Sequence, residues 1–284
     1  MISKDIIEAS KKAGADVKDV NKRLSCRIAL SLIVAFLSLP LFPVDVQSLS
    51  DRQHGEKTAM IIIDDFGNNA KGTTEIMELP YKVTVAVMPF MPSTERDAKR
   101  AHAAGHDVIV HMPMEALSGK KHWLGPGAIT TDLSDAEIQK RVHAAIDNVP
   151  HAIGMNNHMG SKATVDERVM RNVLKVCKER GLFFVDSHTN FRSIVGKIAS
   201  EVQVPSLENH IFLDDVHTKA AVHKQFMLMR EHFRRHDVCI AIGHVGAGGR
   251  ITAEVLKDQM VKMNQENIQF KKVASVLKSN APRK

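Results

Sequence analysis

Aromatic residues and cysteine are both scarce in this chain. Only 5% of its 284 residues are aromatic, with a single Trp and a single Tyr. No aromatics interleave with Lys and Arg, so the stacking platform of a single-strand nucleic-acid binder is missing. The three cysteines, Cys26, Cys177 and Cys239, are too few for a disulfide framework and lack the C-x-x-C spacing of structural zinc. Cys177 falls in a helical pattern and Cys239 in a strand, where each reads as a small core residue. No G-x-G-x-x-G follows the first strand, and the glycines of Gly246-Ala-Gly-Gly249 are followed by no Lys-Ser or Lys-Thr, which excludes a dinucleotide fingerprint and a P-loop. The formal charge is +7, but the basic residues are scattered among Asp and Glu along helices and form no block. That is the pattern of solvated helix faces and not of a nucleic-acid patch.

Long apolar runs are equally rare, and there is one. Residues 28–44 carry no charge and follow Lys22, Arg23 and Arg27, the layout of a secretion signal or a short signal anchor whose basic flank stays in the cytoplasm. The expected organisation is a cytoplasmic basic leader over 1–27, a signal peptide or anchor over 28–44, a polar linker over 45–57 and one folded domain over 58–284. Everything after the segment is then exported to the periplasm, either free or held at the inner membrane if the segment is uncleaved.

What the folded part has in abundance is short apolar runs that stop at an Asp or a His. They are Ala59–Ile63 before the doublet Asp64-Asp65, Asp107–Val110 before His111, Ala152–Asn157 before His158, Leu182–Val185 before Asp186, and Val238–Gly243 before His244. Runs of this length, rich in Ile, Val and Phe and spaced by helix-like segments, predict buried parallel strands whose carboxyl ends gather the chemistry. Ser134-Asp-Ala-Glu137 opens a helix with a capping box, and Gly181 stands where the helix from Asp166 needs a left-handed residue. The region between Asp186 and Ile211 reads as irregular, and a last strand is expected near 270–276. Seven or eight βα units without a break imply one α/β domain of barrel type.

The strand ends imply metal-assisted hydrolysis. Adjacent carboxylates at a strand terminus point in different directions, so one can hold a cation while its neighbour faces water. Neutral imidazoles from His111 and His158 with Asp65 make a three-ligand catalytic set with a position left open. Glu115, four residues after His111, is an extra ligand, an outer-shell partner or a substrate contact, and Asn156 and Asn157 are candidate donors to a carbonyl or a sugar hydroxyl. His244, opening a glycine-rich loop, is placed as a general acid with Asp186 to orient it.

The blocks Ile61-Ile-Ile-Asp-Asp-Phe-Gly67, Gly105-His-Asp-Val-Ile-Val-His-Met-Pro-Met-Glu115, Gly154-Met-Asn-Asn-His-Met-Gly-Ser-Lys162, Phe184-Val-Asp-Ser187, Phe212-Leu-Asp-Asp215 and Ala241-Ile-Gly-His244 together resemble the divergent polysaccharide deacetylase family of bacterial exported proteins. The resemblance runs over 58–277. It implies a distorted seven-stranded (β/α) barrel and a metal-dependent hydrolase, with zinc the expected divalent ion, that removes acetyl groups from N-acetylated envelope glycans. It implies Asp64 as general base, Asp65 and His111 as metal ligands, and His244 as the acid that protonates the leaving amine, with Asp186 its partner. Glu115 stands where characterised members place a second His, so the third ligand falls to His158, with Glu115 the other candidate. The Arg and Pro that usually steady the catalytic Asp and the Asp-Trp pair of the next block are absent. The competing function is a catalytically weak glycan-binding or envelope-assembly protein that keeps the barrel. The expected partner is a carbohydrate, not a nucleic acid, with the membrane reached only through residues 28–44.

Overall fold

The computed structural model describes residues 56–279, so the leader, the 28–44 segment, most of the linker and Cys26 lie outside the described residues. Among the described residues there are nine strands and eight α-helices: β1 Lys57–Phe66, α1 Thr73–Met77, β2 Thr84–Val87, α2 Thr94–Ala103, β3 Asp107–Met114, α3 Asp135–Asn148, β4 Ala152–Met159, α4 Glu167–Glu179, β5 Phe183–Asp186, α5 Val195–Val202, β6 Ser206–Glu208, β7 Ile211–Phe212, α6 Lys219–His232, β8 Val238–His244, α7 Gly249–Gln265, β9 Ile268–Phe270 and α8 Val273–Ser279. Among the described residues no helix is long and apolar enough to cross a membrane.

Every strand pairing is parallel, in the order β6-β5-β4-β3-β2-β1-β8-β7, with β9 on the start of β1. The path therefore holds eight strands, not seven. The extra one arises because Asn209 and His210 break a single run of chain: the Asn209 amide donates to Asp186 O on β5 and the His210 amide to Ile240 O on β8. Two consecutive residues thus bridge the two edges of the sheet, which is how a barrel-like sheet is joined without a continuous ladder.

Alternation along the strands sorts the core into two layers. Ala59, Ile61, Ile63, Val85, Val87, Val108 and Val110 pack outward against the helices. Met60, Ile62, Ala86, Ile109, Val185, Ile240 and Ile242 pack against one another on the inner face. Residues of β5 and β8, which lie near opposite ends of the path, share that inner cluster, so the sheet curls around it. The same parity carried one step further puts Asp64, His111, Asn156 and His244 on the inner face at the carboxyl ends. Below, α8 closes the sheet: Val273 and Ala274 join the inner cluster, their amides donate to Thr84 Oγ1 and Asp107 Oδ2, each at 3.3 Å, and Lys272 Nζ lies 3.0 Å from Asp107.

The local signals behave as their chemistry dictates. Ser134 accepts from the Glu137 amide at 3.2 Å, Asp166 caps α4 through the Val169 amide at 3.0 Å, and Gly181 has φ +68°. Cys177 and Cys239 are free and buried, with thiols pushed up to about 12 by desolvation. Two expectations fail. Residues 187–210 contain α5 and β6, and the strand expected at 270–276 is only the end of β9 followed by α8. Phe270, Val273 and Leu277 are spaced for a helix that lays one face on the sheet.

Candidate active site

The Asp doublet does not end β1; it sits in a β-bulge within it. Pairing with β2 slips between Ile63 and Phe66, and Asp65 has φ +69°, a left-handed conformation uncommon for a residue with a side chain. The extra residue rotates Asp65 to the side already taken by Asp64. The expectation that neighbouring carboxylates diverge is therefore corrected: His111 Nε2 is 3.6 Å from Asp64 Oδ2 and 3.3 Å from Asp65 Oδ1.

His111 comes from β3 and His158 from β4, which pair with Asn156 opposite His111 and His158 opposite Pro113. His158 Nδ1 is 3.1 Å from Asp65 Oδ1 and 3.1 Å from His111 Nε2. Asp65 Oδ1, His111 Nε2 and His158 Nδ1 thus form a triangle of nearly equal edges. Asp65 Oδ1 is buried and takes no hydrogen bond of good geometry although two imidazole nitrogens face it. Ligand bonds of about 2.0–2.1 Å set tetrahedral ligand atoms about 3.3 Å apart and octahedral ones about 3.0 Å apart. The observed edges of 3.1–3.3 Å fit a divalent cation of either geometry.

The supporting contacts hold these atoms in place. Asn156, fully buried, accepts from His111 Nδ1 at 2.8 Å and donates to Asp64 Oδ1 at 2.9 Å. A His111 that donates through Nδ1 keeps the Nε2 lone pair for a metal. Asn157 is buried as well, donating to Met159 O at 2.7 Å and accepting from the Ser187 amide at 2.9 Å. Both asparagines, expected to face substrate, are spent inside the framework. Glu115 is no ligand either: its carboxylate takes Lys162 Nζ at 2.8 Å and the amide and hydroxyl of Thr131, each at 2.7 Å. Burial opposes its charge, but these donors win and hold the carboxyl down at about 2.

His244 is paired by a residue that sequence reasoning missed. Asp186 accepts from the His188 amide at 2.8 Å and does not reach His244; β5 and β8 are separated on one side by the β6–β7 crossing and on the other by four strands. Asp214, just past β7 and therefore beside β8, takes the part expected of Asp186. It accepts from His244 Nδ1 at 2.8 Å, from the His244 amide at 2.7 Å and from Thr252 Oγ1 at 2.7 Å. Its signal was present in Phe212-Leu-Asp-Asp215, an apolar run closing on a second Asp doublet.

Charges follow from these contacts. Burial raises the Asp64 carboxyl above the usual range, only partly countered by His111 and His244. Burial also opposes charge on Asp65, but the two imidazoles more than offset it and keep the group ionised. For His111, desolvation is outweighed by Asp64 and Asp65, leaving its pKa above the ordinary value. For His244 the same contest, won by Asp214, Asp64 and Asp65, lifts it to about 9. Asp65, His158, Asp214 and His244 line an open groove of about 590 Å³ together with Trp123 and Met88. A second group, His210, His232 and Cys239, lies near the start of β8, but His210 Nδ1 already accepts from the Ile240 amide at 2.9 Å and the Cys239 thiol is held protonated by burial.

A family model described as divergent polysaccharide deacetylase matches residues 61–277. The chain belongs to the divergent polysaccharide deacetylase family. An uncharacterized protein of Haemophilus influenzae is 41% identical over 184 residues, 65% of this chain and 65% of that relative. The uncharacterized protein YibQ of Escherichia coli is 35% identical over 217 residues, 76% of this chain and 66% of that relative. The matched region thus spans just under two thirds of each relative's own length. Among solved structures, an uncharacterized protein from Agrobacterium tumefaciens has the same fold, with a TM-score of 0.73 at 18% identity over 78% of this chain and 89% of that one. The matched region holds β2 to β9 whole, β1 from Ile61 onward and every site residue described above.

Proposed function

We propose that the protein is an exported, periplasmic, metal-dependent hydrolase that removes acetyl groups from N-acetylated sugars of the cell envelope. The observation that carries the reading is the convergence of Asp65 Oδ1, His111 Nε2 and His158 Nδ1 within 3.3 Å of one another, with Asp64 and His244 beside them. Asp65, His111 and His158 would hold a divalent ion, zinc foremost, which would supply Lewis acidity to a carbonyl oxygen and lower the pKa of water toward neutrality.

The chain's own residues handle the protons. Amide hydrolysis delivers hydroxide to the acyl carbon and a proton to the departing nitrogen. Asp64, whose buried carboxylate is less acidic than an exposed one, takes the proton from water. His244, held protonated, presents Nε2–H to the leaving nitrogen while Nδ1–H stays on Asp214. Asn156 keeps the base and a metal ligand in register by holding Asp64 and His111 at once. The groove is open, and the half-exposed indole of Trp123 on its wall offers an apolar face of the kind a sugar ring stacks on.

The test is metal analysis of the purified full chain followed by acetate release from N-acetylated glycans, with Asp64→Asn as control. We expect about one tightly held divalent ion and acetate release that falls at least a hundredfold in the variant. Absence of bound metal, or equal release by both proteins, refutes the mechanism. Glycan binding by metal-loaded protein without acetate release assigns instead the glycan-binding, envelope-assembly function.

A further inference from the structure

His158 is held from outside the site by a main-chain atom. Its Nε2 lies 3.1 Å from the carbonyl oxygen of Trp123. A carbonyl only accepts, so this nitrogen carries the hydrogen and Nδ1 keeps its lone pair toward Asp65 and His111. The tautomer of a metal ligand is therefore set by the backbone of the long connection between β3 and α3.

That connection is pinned at its base. The Glu115 amide donates to Ile129 O at 2.8 Å and the Ile129 amide to Pro113 O at 2.8 Å. The Glu115 carboxylate then ties the returning limb, through both groups of Thr131, to Lys162 on the connection after β4. Trp123 lies midway between the tied residues. The tip rests on the β2 end of the groove, where Gly125 and Gly127, both at positive φ, pack so closely on Met88 and Phe90 that a Cβ would stand 2.9 and 2.8 Å from those side chains.

Resting on the metal-dependent reading above, we propose that the loop 115–133 is the outer support of the metal centre, with Glu115 as its positioning residue, so that metal uptake and loop placement form one coupled equilibrium. Coupling of this kind is reciprocal: what fixes the loop tightens the metal, and metal fixes the loop. A ligand seated against Trp123 in the groove then strengthens the hold on the metal it is to react beside.

The chain carries its own reporter, since Trp123 is its only Trp. The experiment strips the full-length protein of metal, titrates Zn2+ while following indole emission, and measures Zn2+ affinity by competition with a chromophoric chelator, with His158→Asn setting the background of other sites. In the wild type we expect an emission change that saturates with the site. Glu115→Ala should weaken Zn2+ about tenfold, the scale of outer-shell losses, with the metal-free unfolding transition kept. Glu115→Gln, which still accepts from Thr131, should weaken it less. Should the alanine variant fail to fold, Glu115→Gln and Thr131→Val carry the same comparison. Zn2+ bound by the wild type with no emission change, or with affinity unaltered in the Glu115 variants, overturns the coupling and leaves the hydrolase reading standing. No Zn2+ bound by the wild type overturns both.

Discussion

Replacing Asp214 with Asn isolates the electrostatics of the proposed acid. Asp214 is 2% exposed and makes three hydrogen bonds, two of them to His244. The His244 pKa of about 9 stands well above the ordinary imidazole value of 6.5, which corresponds to roughly 3 kcal/mol of preference for the charged ring. With the His244 side chain 32% exposed, water screens the charges and trims that to about 2–3 kcal/mol. Because the folded pKa lies above the unfolded one, this contribution is complete below about pH 6.5 and is lost as the pH rises through about 9. In Asp214→Asn the amide oxygen can still accept from Nδ1, but the charge is gone and the NH2 group faces the His244 amide and the Thr252 hydroxyl. The hydroxyl can reverse; the amide cannot, and leaving it without an acceptor costs about 1–3 kcal/mol. The assay is an NMR titration of His244 in metal-free protein, beside thermal unfolding at pH 6 and pH 9.5. The wild-type midpoint should lie near 9 and that of the variant at about 7.5 or below, while the stability gap between the two proteins narrows at high pH. A variant midpoint still near 9 would show that Asp64 and Asp65 alone hold the proton, and would refute the role given to Asp214.

Three further outcomes are expected. Asn156→Ala frees His111 Nδ1 and Asp64 together, so divalent-metal affinity should fall about 10–100-fold in a chelator competition. Because the His111 pKa is raised by its two aspartates, a proton competes with the metal for Nε2; affinity should drop about tenfold per pH unit below that pKa, read by calorimetric titration across buffers. Gly72 has φ +92° and an added Cβ would lie 2.5 Å from the carbonyl carbon of Gly249, so Gly72→Ala should destabilise by about 2 kcal/mol or more and lower Tm by roughly 4–8 °C, without touching metal affinity.

Much of the fold and site is legible in the sequence because buried parallel strands leave a strong trace. Runs such as Ala59–Ile63 and Val238–Gly243 are apolar on both faces, and only a covered sheet makes that pattern. Strand ends could be listed, but not ranked as neighbours. Asp186 and Asp214 both follow apolar runs, and the choice between them depends on which strand lies beside β8, a property of the whole sheet order. The bulge at Asp65 was equally hidden, since a left-handed Asp looks like any other in one dimension. Helix α5, with Gly196 near its start and β-branched residues among its buried positions, has weak intrinsic propensity and forms because its apolar face is covered.

The Asp65–His111–His158 triad is complete within β1, β3 and β4, whereas Asp214 follows β7 and His244 ends β8, and the two groups meet along the seam where Asp64 lies opposite His244. The site is therefore built from two halves of the chain that meet at one strand pairing, β1 with β8. On the proposed reading, a chain that lost Asp214 and His244 would keep the three candidate ligands and the base Asp64 but not the acid, so binding and proton delivery could be separated by substitutions after β6 alone.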